Sequence, residues 1–506
     1  MVSSVPLPPR GGGRETGRVL WRWDTLQGAV RIEPRRPRAR PPALRTLAVA
    51  VLAAMLPVQA QDIGEPVGDR LEHPTERLRQ QQGEGLLYQL EGAVEYSDNR
   101  GRSDRGGDDD ILVASRARVD WFRQSRRLRA NVEGQFEFLD SFGSVFDDEL
   151  RARLAATATV ALWPERIYWI LQDFAGIEPV DSFSAGGHDD LQQTNVFTTG
   201  PTFRISPEGL WWAELDARYT RSDAEVTDSF DGERTGGAIR IGHRFDAARS
   251  AWIGAEAQDV RYDEPLGFAG RPDLPPQDDP PRETDHERFD AYARYRSAFP
   301  RLVVDLAAGH SRIEFTDGIE LSGLLARAAM TWLPNEIHAV TARFVREYSD
   351  AVRDVASQIN ALDPLPDFEP RPEIGPAIYL LKSAEATWRY RFRRGQVEVT
   401  PYSRDYDYQL EASFLDQEAT GTRADFTWLA DSRTTFRAAL GVERRDFRAV
   451  DREDDNLYGG VFVERRFNSR WGMRAGLSRY QRDSSAPGSD FDENVLSVAV
   501  VYFGGR

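Results

Sequence analysis

The sequence contains no cysteine in its 506 residues, which excludes disulfide bonds, thiolate metal sites and cysteine nucleophiles. Lysine is almost as scarce, and Lys382 is the only one. After residue 60 no apolar run is long enough to form a membrane-spanning helix. A membrane-spanning β-barrel remains open, because only every second residue of its strands faces lipid and the hydropathy of each segment is therefore low.

The charge of the chain is strongly acidic. The whole sequence carries 65 basic and 81 acidic residues, which gives a net charge of -16. Residues 1–60 hold ten arginines and three acidic residues, so the remainder has 55 basic against 78 acidic residues and a net charge of -23. Nucleic-acid binding needs a basic surface that neutralises phosphates, and we therefore expect no nucleic-acid partner.

The first 60 residues have the three-part pattern of a secretory signal peptide. Arginines between Arg35 and Arg45 precede the apolar run Leu47–Leu56, and small residues up to Ala60 supply a cleavage site. We predict an N-terminal extension plus signal peptide at 1–60, cleaved after Ala60, and a short periplasmic segment at 61–85. We expect that segment to be too short for the plug domain of an energised receptor.

From residue 86 to residue 503 the dominant period of the sequence is two. In residues 128–138, for example, Leu, Ala, Val, Gly and Phe at even positions alternate with Arg, Asn, Glu and Gln at odd positions. Such alternation predicts β-strands with one apolar and one polar face.

The connections between these runs fall into two alternating classes. Tight turns such as 164–165 and 468–470 alternate with longer acidic loops such as 98–110 and 350–375. Short turns on one rim and long loops on the other are typical of outer-membrane barrels, whose turns lie in the periplasm. The sequence therefore predicts an all-β fold, a transmembrane antiparallel up-and-down β-barrel of about 20 strands (18–22) over residues 86–503.

Aromatic residues concentrate near the predicted strand ends, as in the interfacial girdles of membrane proteins. The last predicted strand, Val495–Phe503, alternates apolar residues and ends in an aromatic pair. It resembles the C-terminal assembly signal of outer-membrane barrels, which implies recognition by the barrel-assembly machinery. The predicted girdle consists of Trp121, Phe122, Trp163, Tyr168, Trp169, Trp211, Trp212, Trp332, Trp388, Trp428 and Trp471.

The segment Thr194–Phe203, with the sequence TNVFTTGPTF, resembles the β-barrel porins of exopolysaccharide and surface-glycan operons. The resemblance covers Tyr88–Phe503 in its strand pattern and does not identify a substrate. It implies an outer-membrane pore tied to glycan export, with polysaccharide-export components as partners.

Charged residues on the polar parity are expected to face the lumen, because a basic residue on the lipid face costs about 2 to 4 kcal/mol near the bilayer midplane. Two roles compete for them. The arginines line a path for an anionic solute or a uronate polymer, or arginines and acids neutralise each other across strands in a hydrated wall. The lumen-lining candidates are Arg116, Arg118, Arg129, Glu133, Arg151, Arg153, Arg218, Arg294, Arg296, Arg389, Arg391 and Arg423.

No motif assembles catalytic or metal-binding residues. The nearest candidate pair for nucleophilic catalysis is His310 beside Ser311, but neighbours on a strand point to opposite faces and cannot share a proton directly. Acidic clusters such as Asp108-Asp109-Asp110 lack the spacing and glycine of a calcium loop and are typical of solvated loops. We therefore expect no enzyme, no metal site and no cofactor.

Taken together, these features predict a porin-like channel in the cell outer membrane, in contact with outer-membrane lipid and lipopolysaccharide. Its cargo would be an exported exopolysaccharide or a polar or anionic solute. The alternative is a non-conducting structural or glycan-binding barrel that displays acidic extracellular loops. A long loop such as Asp263–Glu287 could fold into the pore or outward, and both poses stay open.

Overall fold

Twenty antiparallel strands make up most of the described chain. The computed structural model describes residues 84–106, 109–141, 148–184, 186–187, 190–265, 284–357 and 372–505. The strands are β1 (Gly85–Ser97), β2 (Asp110–Gln124), β3 (Leu128–Ser141), β4 (Glu149–Trp163), β5 (Ile167–Pro179), β6 (Leu191–Ile205), β7 (Trp211–Ala224), β8 (Gly232–Arg244), β9 (Arg249–Tyr262), β10 (His286–Phe299), β11 (Leu302–Phe315), β12 (Glu320–Trp332), β13 (His338–Asp350), β14 (Ile378–Phe392), β15 (Gly395–Tyr408), β16 (Gln417–Leu429), β17 (Thr434–Phe447), β18 (Arg452–Arg466), β19 (Trp471–Ser484) and β20 (Phe491–Gly505).

Pairing between the first and last strands closes the sheet into a barrel. β1 and β20 are in register from Leu87 opposite Gly505 to Ser97 opposite Val495. Every other strand pairs with its neighbours in sequence. Closure satisfies backbone groups that an open edge would leave unpaired in lipid. The predicted all-β, up-and-down barrel is confirmed, and its 20 strands lie within the predicted range.

The two faces of the barrel wall differ because successive side chains of a strand point to opposite sides. On β20 the outward Leu496, Val498 and Val500 are between 40 and 52% exposed, whereas the inward Ala499 and Val501 are buried. Large apolar side chains are exposed in the same way around the barrel. Such an apolar outer belt is what a transmembrane barrel presents to lipid.

Exposed tryptophans mark the tight-turn end of the outer face, as predicted for an interfacial girdle. Three residues of the predicted girdle face the interior instead, and their assignment was wrong. Phe122 shares the inward face of Asn131, and Tyr168 and Trp212 line the internal cavity. Each follows or precedes an outward aromatic residue, so strand parity turns it inward. The exposed tryptophans of this end, between 38 and 66% exposed, are Trp163, Trp169, Trp211, Trp332, Trp388, Trp428 and Trp471.

Helical structure is sparse in the described residues. It consists of one short helix, α1 (Ala351–Ser357), and two 3₁₀ segments at Asp228–Phe230 and Leu410–Leu415. None of these helices is long and apolar enough to cross a membrane.

Several sequence predictions fall outside the described residues. These are the N-terminal extension and signal peptide at 1–60, residues 61–83 of the periplasmic segment, Asp108, and residues 266–283 of the loop Asp263–Glu287. They stay predictions.

Candidate functional site

A cavity of about 730 Å³ lies inside the barrel against the inner face of β5 to β12. It extends from the tight turns at Glu165 and Glu208 to Arg234, which lies two residues from the loop end of β8. Its wall consists of side chains on the inward parity, so arginines, carboxylates and aromatic rings face the same space. Within the described residues the cavity therefore reaches the tight-turn end of the barrel.

Arg240 is the centre of a charge network in the middle of this wall. Its guanidinium donates to Glu214 at 3.2 Å, to Glu256 at 2.9 Å and to Asp216. Its Nε also donates to the hydroxyl of Tyr292 at 3.0 Å, and that hydroxyl donates to Glu256 at 2.8 Å. Charges in this region neutralise one another and fix the side chains, as expected for a hydrated wall.

Two arginines near the turn end of the cavity lack a carboxylate partner in the described residues. Arg244 donates only to backbone carbonyls of the β6–β7 turn, to Pro207 at 3.0 Å and to Gly209 at 3.4 Å. Arg296 has no hydrogen bond or ion pair within the part of the chain that the structure describes. The register places Ser250 between them, opposite Arg244 on one side and Arg296 on the other.

An aromatic row lies beside these arginines, one inward position further from the turns. Trp212 is opposite Gly242, Gly242 is opposite Trp252, and Trp252 is opposite Arg294. The two indole rings are 5.9 Å apart, and the Arg294 guanidinium lies 5.2 Å from the centre of the Trp252 ring. Arg294 also forms a two-point ion pair with Asp305 at 2.6 and 2.7 Å. The row thus combines flat apolar surface with a fixed cation.

The predicted lumen residues lie on three parts of the inner wall. The cavity brings together Arg218, Arg294 and Arg296. A second group is on β2 to β4, where Arg116 bridges Glu91, Glu95 and Glu137. The second group also contains Arg118, Arg129, Glu133, Arg151 and Arg153, and a third group, on β14 and β16, consists of Arg389, Arg391 and Arg423.

Most of the predicted lumen arginines form ion pairs with carboxylates of the barrel wall. Arg218 pairs with Asp216 at 2.8 Å, and Arg389 pairs with Glu398 at 2.6 Å. Further pairs are Arg118 with Asp120, Arg151 with Glu149, and Arg423 with Asp425. Mutual neutralisation therefore describes much of the wall, and Arg244 and Arg296 depart from it.

Several cavity residues were missed in the sequence, chiefly Arg234, Arg240 and Arg244 on β8 and Trp252 on β9. Three of the four glycines of β8, Gly232, Gly236 and Gly242, share the inner face with the arginines, and the only large aliphatic side chains on the outer face are Ile239 and Ile241, so the alternation is weak. The arginines themselves, at even positions 234, 240 and 244, were the available signal.

At the loop end of the barrel, described segments of the chain fold into the lumen. Helix α1 follows directly from β13, and its Val352 and Val355 pack in a buried cluster with Val196 of β6, Ala224 of β7 and Phe230. β13 and β6 lie seven strands apart in the ring, so the helix reaches across the lumen.

Buried ion pairs fix the beginning of this helix. Arg234 binds Asp350, the last residue of β13, at 2.9 and 3.0 Å. Arg288 on β10 donates to Asp290 at 3.0 Å and to the backbone carbonyl of Tyr348 at 2.8 Å. Arg234 also lines the cavity. The end of the cavity nearest the loops and the start of α1 therefore share this side chain.

The β5–β6 loop crosses toward the opposite wall. Its Phe183 packs against Phe447 of β17 with 4.8 Å between ring centres. Arg482 of β19 donates to the carbonyl of Ser184 at 2.9 Å, and Arg102 donates to the carbonyl of Gly186 at 3.1 Å. The described parts of two long connections, residues 180–184 and 186–187 after β5 and helix α1 after β13, therefore fold into the barrel.

Asp354 of α1 is a buried carboxyl among the inward-folded segments of the loop end. Burial raises the pKa of Asp354 to about 7, although the positive charge of Arg404 and a hydrogen bond from Ser349 at 3.2 Å favour its ionised form. The carboxyl is therefore poised to change charge near neutral pH.

The candidate catalytic pair His310 and Ser311 is not brought together by the fold. His310 is exposed on the outer face, whereas Ser311 is buried on the inner face, so the two side chains do not meet. Among the residues that the structure describes, no group of three histidine or acidic side chains has the geometry to hold a metal ion.

Among known proteins, this chain is similar to solved structures only, and the similarity is one of fold. No protein-family model and no curated protein matches the sequence. The FrpB iron transporter from Neisseria meningitidis is similar, with 9% identity, a TM-score of 0.43, and coverage of 85% of this chain and 83% of that chain. A ferric enterobactin receptor from Pseudomonas aeruginosa is similar with 9% identity, a TM-score of 0.43, and coverage of 83% of this chain and 81% of that chain. The siderophore receptor PirA from the same organism is similar with 9% identity, a TM-score of 0.39, and coverage of 82% of this chain and 80% of that chain. Similarity at this level carries no argument about function.

Proposed function

We propose that this chain is an outer-membrane, porin-like channel that exports an exopolysaccharide or passes a polar or anionic solute, and that its loop end is closed in this conformation. The observation that carries the proposal is the cavity that reaches from the tight turns at Glu165 and Glu208 to Arg234, near the inward-folded loops. A lumen lined by charged and hydroxyl side chains suits a hydrated solute and not a lipid.

The direction of access supports export. In outer-membrane barrels the short turns face the periplasm and the long loops face the outside. The described cavity reaches the turns at Glu165 and Glu208, so a periplasmic solute would enter it without any movement of the loops. Passage to the outside then requires α1 and the β5–β6 loop to move aside.

Single-channel recording of the refolded protein in a planar bilayer tests this proposal. The chain has no native cysteine, so Phe183→Cys and Phe447→Cys together introduce one addressable pair across the lumen. We expect intermittent openings from the wild type and from the unlinked double variant. A bis-methanethiosulfonate cross-linker should abolish the openings, and a reductant should restore them.

The two single-cysteine variants serve as controls, since the reagent modifies each of them without bridging the loop to the wall. A stably inserted wild-type barrel that never conducts at any voltage would reject the channel. Unchanged openings after cross-linking would reject closure by the β5–β6 loop.

A non-conducting structural or glycan-binding barrel is the second candidate. The buried apolar contacts of Val352 and Val355 favour it because they stabilise the inward position of α1, and the ion pair between Arg234 and Asp350 fixes where α1 begins. This candidate predicts a silent barrel that still binds glycan at its surface, and glycan binding by the inserted protein in the absence of conductance would support it.

A further inference from the structure

We infer that the turn-side end of the cavity is a binding site for an acidic saccharide, whose ring stacks on Trp212 and whose carboxylate binds between Arg244 and Arg296. The inference deepens the proposed function and rests on it for the role of the cavity as a path. The site itself is argued from two adjacent rows of the inner wall.

The first row provides a flat apolar surface. The Trp212 ring lies directly over Gly242, where an added Cβ would be 2.4 Å from the indole carbons. The absence of a side chain at Gly242 is therefore what allows the ring to lie along the wall of β8. Trp252 is buried beside it along the wall with 5.9 Å between ring centres, so Trp212 is supported on that side and also lines the cavity.

Aromatic faces of this kind fit the carbon–hydrogen face of a sugar ring. A pyranose presents apolar C–H groups on its faces and polar hydroxyls at its edge. An aromatic ring with polar groups at its rim therefore matches it in both respects. Ser250 supplies a hydroxyl in the row beside Trp212 and Trp252, at the position where ring hydroxyls would lie.

The second row provides positive charge without a carboxylate to neutralise it in the described residues. Arg244 and Arg296 flank Ser250 and are two strands apart, so their backbones are separated by roughly 10 Å. The Arg244 guanidinium is held by the carbonyls of Pro207 and Gly209 in the β6–β7 turn. Binding of one group by both arginines therefore requires the long Arg244 side chain to rotate toward Ser250. Guanidinium groups bind carboxylates through paired N–H donors, which makes a carboxylate the complementary group.

Competing ligands use only part of this arrangement. An inorganic anion would engage Arg244 and Arg296 but leave Trp212 without a partner. A neutral oligosaccharide would stack on Trp212 but leave two cations uncompensated. An acidic saccharide engages both rows, which is why we assign this class.

The remaining arginines of the cavity are already occupied. Arg218 forms an ion pair with Asp216 of its own strand, and Arg240 and Arg294 form ion pairs with Glu256 and Asp305 of neighbouring strands. Arg389 on β14, outside the cavity lining, is likewise paired with Glu398 at 2.6 Å and provides a matched control for Arg296.

Isothermal titration of the detergent-solubilised barrel tests the site without requiring conduction. The probes are trigalacturonic acid, maltotriose and inorganic sulfate, at low and at physiological ionic strength. We expect trigalacturonic acid to bind at least tenfold more tightly than maltotriose, and sulfate to bind weakly. Arg296→Gln and Trp212→Leu should each weaken binding of trigalacturonic acid by about tenfold or more.

The controls are Arg389→Gln, which removes a paired lumen arginine, and Trp211→Leu, which removes the adjacent tryptophan on the lipid face. Both should bind trigalacturonic acid as the wild type does. Equal affinity for maltotriose, equal affinity for sulfate, or wild-type binding by Arg296→Gln and Trp212→Leu would each overturn the site. Selective binding by a barrel that never conducts would support the site and reject the channel. Conduction without selective binding would support the channel and reject the site.

Discussion

Arg234 on β8 and Asp350 at the end of β13 form a two-point ion pair although 116 residues separate them in sequence. Both side chains are less than 10% exposed, and Arg234 also donates to the hydroxyl of Tyr262 at 2.9 Å. A buried pair of this kind specifies geometry more than it adds stability, because desolvation offsets much of the attraction. Its geometry fixes where α1 starts and therefore where the lumen is closed.

Replacing one partner of this pair should open the loop end. Arg234→Met leaves the Asp350 carboxylate buried without its cation, which costs about 3 to 5 kcal/mol in comparable sites. We expect faster amide exchange in residues 351–357 and a higher open probability in bilayers. The double variant Arg234→Met/Asp350→Leu replaces both charges by apolar groups and should stay close to the wild type. Equal exchange in the single variant and the wild type would contradict this role.

The closure should weaken as pH rises toward neutrality. When α1 is released into solvent, the Asp354 carboxyl ionises near its ordinary value of 3.8, whereas burial holds its pKa at about 7 in the closed form. The closed form therefore binds more protons between these two values. Its stability is fully present below about pH 4, falls as pH rises to about 7 and is level above that.

Open probability between pH 4 and pH 8 measures this dependence. The variant Asp354→Asn cannot ionise, so it should stay closed at pH 7 and lose the slope between pH 4 and pH 7. An unchanged slope in Asp354→Asn would assign the dependence to other groups.

A side chain at position 242 should displace Trp212. Gly242→Val places Cβ within 2.4 Å of the indole, and the resulting overpacking costs about 1 to 3 kcal/mol. Urea unfolding in lipid vesicles should show that loss. The matched control is Gly459→Val on β18, where an added Cβ meets nothing within 4 Å, and its stability should change by less than about 1 kcal/mol. Equal losses in the two variants would show that the wall at Gly242 is not specially crowded.

A charged substitution should destabilise the barrel on the lipid-facing belt and not on the inner face. Leu440 on β17 is 50% exposed on the outer face, and Leu440→Glu should destabilise the inserted barrel by about 1 to 2 kcal/mol. Thr427 on β16 faces inward opposite Arg437, so Thr427→Glu should be neutral or slightly stabilising. Unfolding free energies in vesicles compare the two, and a larger loss for the inward variant would reverse the assignment of faces.

The fold was predictable because its determinants are local. Alternation within each strand and the two classes of connection depend only on neighbouring residues, and together they predicted a closed barrel of about 20 strands. Phe122, Tyr168 and Trp212 were misassigned for the same reason: nearness to a strand end suggested a girdle, whereas strand parity decides which of two adjacent aromatic residues meets lipid.

The site needed information that alternation does not contain. The partners of Arg240 come from three other strands, and the pairing of Arg234 with Asp350 depends on how β13 and α1 sit inside the barrel. Which arginines remain without a carboxylate follows from register between strands, so Arg296 could be named as a lumen residue but not distinguished from Arg294. Inward folding of loops likewise depends on tertiary packing.

The adjacent residues Trp211 and Trp212 show that the barrel wall is a single strand layer with two different faces. One is 66% exposed on the outer face and the other lines the cavity, and a single peptide bond separates them. Substitutions at inward positions can therefore retune the interior while the surface that meets the membrane stays the same. Insertion or deletion of one residue within a strand would exchange the two roles along the rest of that strand, so length variation should be tolerated in the loops and not in the wall.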